Sequence, residues 1–166
     1  MSKAVLISIR PKWCEKIANG EKTIEVRKTR PKMETPFRCY IYCTKKNDGL
    51  IKGDIPTTVS YIAKNEGKVI GEFVCDRIDT LLPANEPYGI YDIDDDYVFQ
   101  TCLEYGALWD YGNGQTLYGW HISNLKLYDE LKTLSEFTAL RKTKFGMEPV
   151  VITRPPQSWC YVEELP

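Results

Sequence analysis

The sequence predicts an α+β domain that is mainly β, built as a small barrel or an open curled sheet with a few short helices. Its 166 residues, 43% of them apolar and 27% charged, match the size and composition of one compact domain. Short runs rich in β-branched and aromatic residues recur at close spacing between clusters of Gly, Pro and Asp. Many short strands with few helices are typical of small barrels and curled sheets. We therefore expect a single domain over residues 1–166.

The N-terminal residues predict a strand followed by a short helix. The run "AVLISI" is continuously apolar and rich in β-branched residues, which indicates a buried strand. In the following "RPKWCEKIANG", Pro11 suits the first position of a helix, and Trp13 and Ile17 lie one turn apart. Gly20 is then placed to end the helix.

The next segment, "KTIEVRK", predicts a short strand with one apolar and one polar face. Because side chains alternate along a strand, Ile24 and Val26 point to one side. Thr23, Glu25 and Arg27 point to the other. A polar strand face usually meets water, so the role of these side chains depends on what lies against the strand.

The rest of the chain predicts further strands and two short helical segments. The residues from Leu82 to Asp96 form a loop that leads into a helix near "DDDYVFQTCLEYG", with its end at Gly106, and "TLSEF" begins a brief helix. The predicted strands are "PFRCYIYCT", "GKVIGEFVCDRID", "LYGWHIS", "LKLYDEL" and a final strand after the Pro-Pro turn of "RPPQSWCYVEEL". The first of these is predicted to be half-buried, with Cys39, Ile41 and Cys43 on its apolar side.

Charge is distributed unevenly along the chain. The net charge of −1 and the pI near 5.9 argue against a protein that coats nucleic acid through bulk electrostatics. However, residues 1–32 carry a net charge of +6 and residues 72–110 a net charge of −9. The basic segment is able to hold an anionic ligand, whereas a charge run is more often a solvated face.

The six cysteines are predicted to be buried free thiols. They are scattered singly through apolar runs, no Cys-x-x-Cys pair occurs, and the chain has a single histidine, His121. Zinc sites and disulfide frameworks need tighter or repeated spacings. We therefore expect no metal and no cofactor, and a hydrogen-bonding structural role for His121.

The sequence shows no membrane or export signal. No apolar run approaches the roughly 18 residues of a transmembrane helix, and the N-terminus lacks the order of regions found in a signal peptide. We therefore expect a cytoplasmic protein without membrane partners.

The segment "LISIRPKWCEKIANGEKTIEVRK" resembles the N-terminal signature of ASCH domains, in which Gly-x-Lys-x-x-Glu-x-Arg follows a strand and short helix. The motif positions here are Gly20, Lys22, Glu25 and Arg27. The later "GKVIGEFVCDRI", "YGWHISNLKLYDE" and "RPPQSWCYVEEL" resemble the remainder of bacterial and phage-type members. The resemblance implies a PUA-like pseudo-barrel with short helices at its ends and a cleft lined by the first polar strand. It also implies RNA or modified-nucleobase binding, while some members are amidohydrolases or ribonucleases.

The three ionic residues of the motif suit a nucleotide site. Lys22 or Arg27 can meet phosphate, with Arg10 close by in sequence, while Glu25 can accept from an exocyclic amine such as that of cytosine. The alternative is a salt bridge at the sheet surface, which is common and weak. The family resemblance favours the binding site.

Aromatic side chains add stacking surfaces for a base. Trp13 lies near the predicted cleft, and Tyr42 lies on the polar side of its strand, so these two are the candidates. For Trp120 and Trp159, packing in the core is the better interpretation, because large aromatic residues dominate small cores.

The same cleft also permits a hydrolase hypothesis for acylated nucleosides. Lys22 would act as the base or nucleophile beside the cation Arg27, Glu25 would transfer protons, and Thr23 or Ser8 would position the substrate or water. Amidohydrolase-like members carry Thr where Glu25 stands, and a carboxylate favours the charged form of a neighbouring lysine. A ribonuclease would lack paired histidines for acid–base chemistry. A third alternative is a protein-interaction module that uses the acidic residues 72–110.

Overall fold

The computed structural model describes residues 2–45 and 65–166. Its helices are short and its strands vary widely in length. The elements are β1 (Lys3–Ile9), α1 (Pro11–Ala18), β2 (Ile24–Arg27), β3 (Phe37–Cys43), β4 (Lys68–Leu81), α2 (Asp95–Thr101), α3 (Tyr105–Gly112), β5 (Leu117–Lys132), a 3-10 helix (Leu134–Glu136), β6 (Thr138–Thr143), β7 (Gly146–Val151) and β8 (Trp159–Glu163).

The strands of the described residues form one mixed sheet that does not close into a barrel. Its order is β2-β5-β4-β3-β1-β8-β6-β7. The pairing of β1 with β3 is parallel, and the neighbouring pairings of β3 with β4 and of β4 with β5 are antiparallel. The predicted mainly β, α+β class with an open curled sheet and short helices is confirmed. Within the described ranges, no helix is long and apolar enough to cross a bilayer.

Burial on both faces of β1 explains its continuous apolar run. Val5 and Ile7 join a core cluster that includes α1 residues, whereas Ala4 and Leu6 join a second cluster around Phe137. A strand covered on both sides has no polar face, which is why alternation is missing from its sequence. A third, smaller cluster lies where α2 and α3 meet the sheet.

The predicted N-terminal unit of strand, helix and strand is confirmed. Pro11 is the first residue of α1, and Gly20 follows the helix with φ +83°, in the left-handed region that glycine adopts without a steric penalty. The backbone N–H of Lys22 then donates to the carbonyl of Lys16 at 2.9 Å. This contact fixes the entry into β2.

Three sequence expectations need correction, and one hairpin was not expected. "LYGWHIS" and "LKLYDEL" are one strand, β5, because Asn124 takes a left-handed conformation with φ 50° and the strand continues through it. The helix near Asp95 ends at left-handed Cys102, and Gly106 lies inside the separate helix α3. The β6–β7 hairpin was not predicted, since its charged and largely exposed sequence lacks strand alternation. Finally, β3 is buried on both faces, with Tyr40 and Tyr42 in the core.

The cysteine prediction is confirmed for four residues and modified for two. All six thiols are free. Cys102 and Cys160 are half-buried, and the buried ones are Cys14, Cys39, Cys43 and Cys75. The expected helical start at "TLSEF" is also confirmed, because Thr133 and Glu136 form a capping box around the 3-10 helix.

Candidate functional site

The three ionic side chains of the β2 segment converge. Arg27 Nη2 lies 3.0 Å from Glu25 Oε1, and Lys22 Nζ lies 3.6 Å from Glu25 Oε2. Lys22, Glu25 and Arg27 are only 3%, 6% and 8% exposed. Charged residues are almost never buried to this degree unless they are paired. We call these three residues the ionic triad.

Arg27 is held by several acceptors from distant parts of the chain. Its Nη2 donates to the carbonyl of Ser8 at 2.7 Å, and its Nη1 donates to Ser158 Oγ at 3.2 Å. Its Nε donates to Glu25 Oε1 at 3.0 Å. The guanidinium therefore joins β1, β2 and the segment before β8, and it holds the Glu25 carboxylate in position.

Lys22 lies between α1 and α2. Its Nζ donates to the carbonyl of Thr101 at 2.5 Å and lies 5.0 Å from the centroid of the Trp13 ring. Burial lowers the pKa of Lys22, although the Glu25 carboxylate acts in the opposite direction. From the sequence, the Arg27 cation was expected to lower the pKa of Lys22 and the Glu25 carboxylate to favour its charged form. The structure shows that the desolvation of the ammonium group outweighs the attraction to the carboxylate.

Glu25 retains one oxygen without a hydrogen-bond partner. Its Oε2 is buried and accepts no hydrogen bond from any described residue, since Lys22 Nζ is beyond hydrogen-bonding distance. Leaving a buried acceptor unpaired costs about 1–3 kcal/mol, and more for a charged group. The carboxylate thus retains capacity for one further donor.

The ionic triad lies at a pocket of about 420 Å³, a volume within the usual range for small-molecule sites. The wall is contributed by β1, α1, β2, the α2–α3 region and the segment before β8. The lining residues are Ser8, Arg10, Trp13, Lys22, Glu25, Val26, Arg27, Thr44, Leu103, Tyr111, Gln157 and Ser158.

Most of the predicted site residues meet at this pocket, but two do not. Ser8, Arg10 and Trp13 line it together with the ionic triad. Thr23 is exposed, and its main chain bonds Gln100 and Ile122 instead. Tyr42 is 4% exposed and packs in the core cluster with Leu6 and Phe137, so its ring is not available to stack on a ligand.

The sequence analysis missed Thr44, Leu103, Tyr111, Gln157 and Ser158. Leu103 and Tyr111 belong to the region where the predicted helix proved to be two helices. Gln157 and Ser158 follow the Pro-Pro turn that was recognised only as the entry to the last strand. Apart from Thr44, these residues are more than 70 positions from β2, and no local pattern links them to it.

The family assignment follows from this arrangement and from a direct match. The family model described as "ASCH domain" matches residues 7–91, which include the whole ionic triad. The chain belongs to the ASCH domain family. The resemblance noted in the sequence is therefore confirmed. No curated protein matches the chain.

Solved structures agree with the fold of this ASCH domain. The crystal structure of ASCH from Zymomonas mobilis is similar with a TM-score of 0.61 and 19% identity, over 97% of this chain and 88% of the other. A tyrosine-to-phenylalanine mutant of ZmASCH from the same organism gives a TM-score of 0.55 and 17% identity, over 98% of this chain and 92% of the other. At these identities, the likeness shows the shared fold alone.

Proposed function

We propose that this ASCH domain binds a nucleobase, carried by RNA or by a modified nucleoside, in the pocket of the ionic triad. The observation that carries the proposal is the buried Glu25 Oε2, which lies 3.6 Å from Lys22 Nζ but accepts no hydrogen bond from any described residue. A base that donates an N–H to this oxygen supplies the missing hydrogen bond. The exocyclic amines of cytosine and adenine are donors of this kind.

The pocket walls support an aromatic ligand. Trp13 is half-buried and lines the pocket. Tyr111 lies on the α3 side and is 38% exposed. Stacking on such rings stabilises a base by about 1–3 kcal/mol.

Phosphate recognition is better assigned to the rim than to the pocket floor. Lys22 and Arg27 are nearly fully buried and already bond to protein acceptors. Arg10 is exposed at the edge of the pocket and forms no salt bridge with any described residue. We therefore propose that Glu25 binds the nucleobase and that Arg10 binds the phosphate.

Calorimetric titration with the standard ribonucleosides and N4-acetylcytidine tests the pocket. Glu25→Asp keeps the charge that Arg27 needs but withdraws the carboxylate by one methylene, so we expect about tenfold weaker binding of an amine-bearing nucleoside. Glu86→Asp, a matched change at an exposed position, should leave the affinity unchanged. Equal affinities for Glu25→Asp and wild type, with both proteins folded, would contradict the assignment.

A second candidate function is hydrolysis of an acylated nucleoside, and the lowered pKa of Lys22 favours it. A neutral Lys22 takes a proton from water, the hydroxide attacks the acyl carbon, and Glu25 relays that proton from the Lys22 ammonium to the departing amine as the C–N bond breaks. The products are a carboxylic acid and the free amine. Release of acetate from N4-acetylcytidine, lost in Lys22→Met, is the expected result. No acetate release by a protein that binds the compound would leave binding as the function.

A further inference from the structure

The segment that follows β2 carries three exposed cations in alternate positions. Lys28, Arg30 and Lys32 are separated by Thr29 and by the buried Pro31. We call the three cations the basic strip. Within the described part of the chain, none of them forms a salt bridge. Other basic residues do form such pairs, including Lys16, Arg38, Arg77 and Lys132.

The segment that carries the basic strip is fixed to β8 by one side-chain and one backbone hydrogen bond. Thr29 Oγ1 accepts a hydrogen bond from Trp159 Nε1 at 2.9 Å, and the backbone N–H of Lys32 donates to Tyr161 Oη at 2.7 Å. Trp159 and Tyr161 also pack edge-to-face, with ring centroids 5.3 Å apart. The cations therefore project from a held segment, which lowers the entropy lost when they bind a ligand.

The basic strip begins at the mouth of the pocket. Arg27 lines the pocket, and Lys28 is the next residue. The ammonium group of Lys28 lies 4.9 Å from the ring centroid of Tyr111, which also lines the pocket. A separate open groove of about 520 Å³ is lined by residues 28–34 and Tyr118, and Glu34 is the single carboxylate among the described residues that line it.

We propose that the basic strip holds the phosphodiester backbone of a single-stranded nucleic acid whose one base occupies the pocket. The inference rests on the proposed function and defines its ligand class as a strand instead of a free nucleoside. Cations beside a base-sized pocket fit the general pattern of nucleic-acid recognition, in which phosphate contacts position the chain and base contacts provide specificity. The half-buried Tyr118 ring in the groove offers a stacking surface for a neighbouring base.

The test compares two triple variants that remove the same charge from different places. The first is Lys28→Ala, Arg30→Ala and Lys32→Ala, which removes the basic strip. The matched control also removes two lysines and one arginine, all exposed, from the β6–β7 hairpin: Arg141→Ala, Lys142→Ala and Lys144→Ala. Fluorescence anisotropy with a labelled twelve-nucleotide single-stranded RNA, and with DNA of the same sequence, is measured between 50 and 200 mM salt.

We expect loss of the basic strip to weaken oligonucleotide binding by at least tenfold and to reduce the slope of log K against log salt by about 2, since each phosphate contact on a single strand contributes about 0.7. The hairpin control should bind as wild type. Either RNA or DNA supports the proposal if its binding shows this pattern. Equal effects of both triple variants, or no effect of the first, would overturn it.

Nucleoside titration separates failure of this inference from failure of the proposed function. The basic-strip variant should retain wild-type affinity for a free nucleoside, because the pocket is unchanged. If Glu25→Asp weakens nucleoside binding while the basic strip has no effect on oligonucleotides, only the present inference fails. If no nucleoside binds wild type but the strip governs oligonucleotide binding, the pocket assignment fails instead.

Discussion

Two ionic clusters on this sheet are built from similar parts. On β2, Arg27 follows Glu25 by two residues, and Lys22 supplies a second basic side chain. On β4, Asp79 follows Arg77 by two residues, and His121 supplies the second basic side chain. The arginine-to-carboxylate distance is 3.0 Å in both clusters.

The clusters differ in burial and in whether the carboxylate is satisfied. The Arg27 and Glu25 side chains are 10% and 8% exposed, whereas Arg77 and Asp79 are 65% and 27% exposed. Asp79 Oδ2 accepts from Tyr97 at 3.0 Å and lies 2.5 Å from His121 Nε2, so both of its oxygens are used. Glu25 Oε2 accepts no hydrogen bond from any described residue and lies 3.6 Å from Lys22 Nζ. Similar residues therefore hold α2 against the sheet at one place and leave a buried carboxylate oxygen without a hydrogen bond from a described residue at the other.

The largest effect should come from Ile24→Asp, since Ile24 is 0% exposed and pairs across the strands with His121, between the two clusters. A carboxylate there would be buried, and the opposite His121 is already bonded to Asp79, so we expect a loss of more than about 4 kcal/mol in the free energy of unfolding. Urea denaturation measures it. Ile24→Val should cost no more than about 1.5 kcal/mol. A normal transition for Ile24→Asp would mean that the apolar face of β2 is wrongly assigned.

Glu25→Gln should have the next largest effect, because it leaves Lys22 and Arg27 buried without a counter-charge. We expect a loss of about 3–5 kcal/mol in the free energy of unfolding. Thermal and urea denaturation of this variant and of Asp79→Asn give a direct comparison of the two clusters. Similar losses of stability in Glu25→Gln and Asp79→Asn would show that burial does not distinguish the two clusters.

Lys22→Met tests the pH dependence of the buried cluster. Met fills a similar volume, and Arg27 still neutralises Glu25, so we expect a change within about 1.5 kcal/mol at pH 7. The folded-state pKa of Lys22 lies below its ordinary value of 10.5. The unfolded chain therefore binds more protons between the two pKa values, and wild-type stability relative to Lys22→Met should rise as pH rises through that window. A difference that stays constant from pH 7 to pH 10 would contradict the lowered pKa.

The smallest effect should come from Asp79→Asn, at most about 1 kcal/mol, because its ion pairs are exposed. Burial alone would raise the pKa of Asp79, but hydrogen bonds from His121 and Tyr97 bring it below its ordinary value of 3.8. The stabilisation is present above that value and is lost as pH falls through the folded-state pKa. Acid denaturation of wild type and Asp79→Asn should therefore converge at low pH. If the stabilities of the two proteins still differed at low pH, the lowered pKa of Asp79 would be contradicted.

Local sequence patterns were sufficient for the N-terminal unit. Pro11, Gly20 and the alternation around Ile24 are local signals, and they predicted α1 and β2 correctly. They failed at Asn124 and Cys102, where single residues in left-handed conformations continue a strand or end a helix. Such residues are not glycine, so the sequence carries no clear sign of their conformation.

The sequence by itself determined that Glu25 and Arg27 share one side of a short strand, because a strand's period of two fixes which side chains point the same way, and that Lys22 lies just before this strand. Only the tertiary structure decided that this side is buried, since burial depends on Thr101, Ser8 and Ser158 approaching from elsewhere in the chain. It also excluded Tyr42 from the pocket and brought in Tyr111. The physical reason is that alternation is a property of the local backbone, whereas desolvation is a property of everything that packs against it.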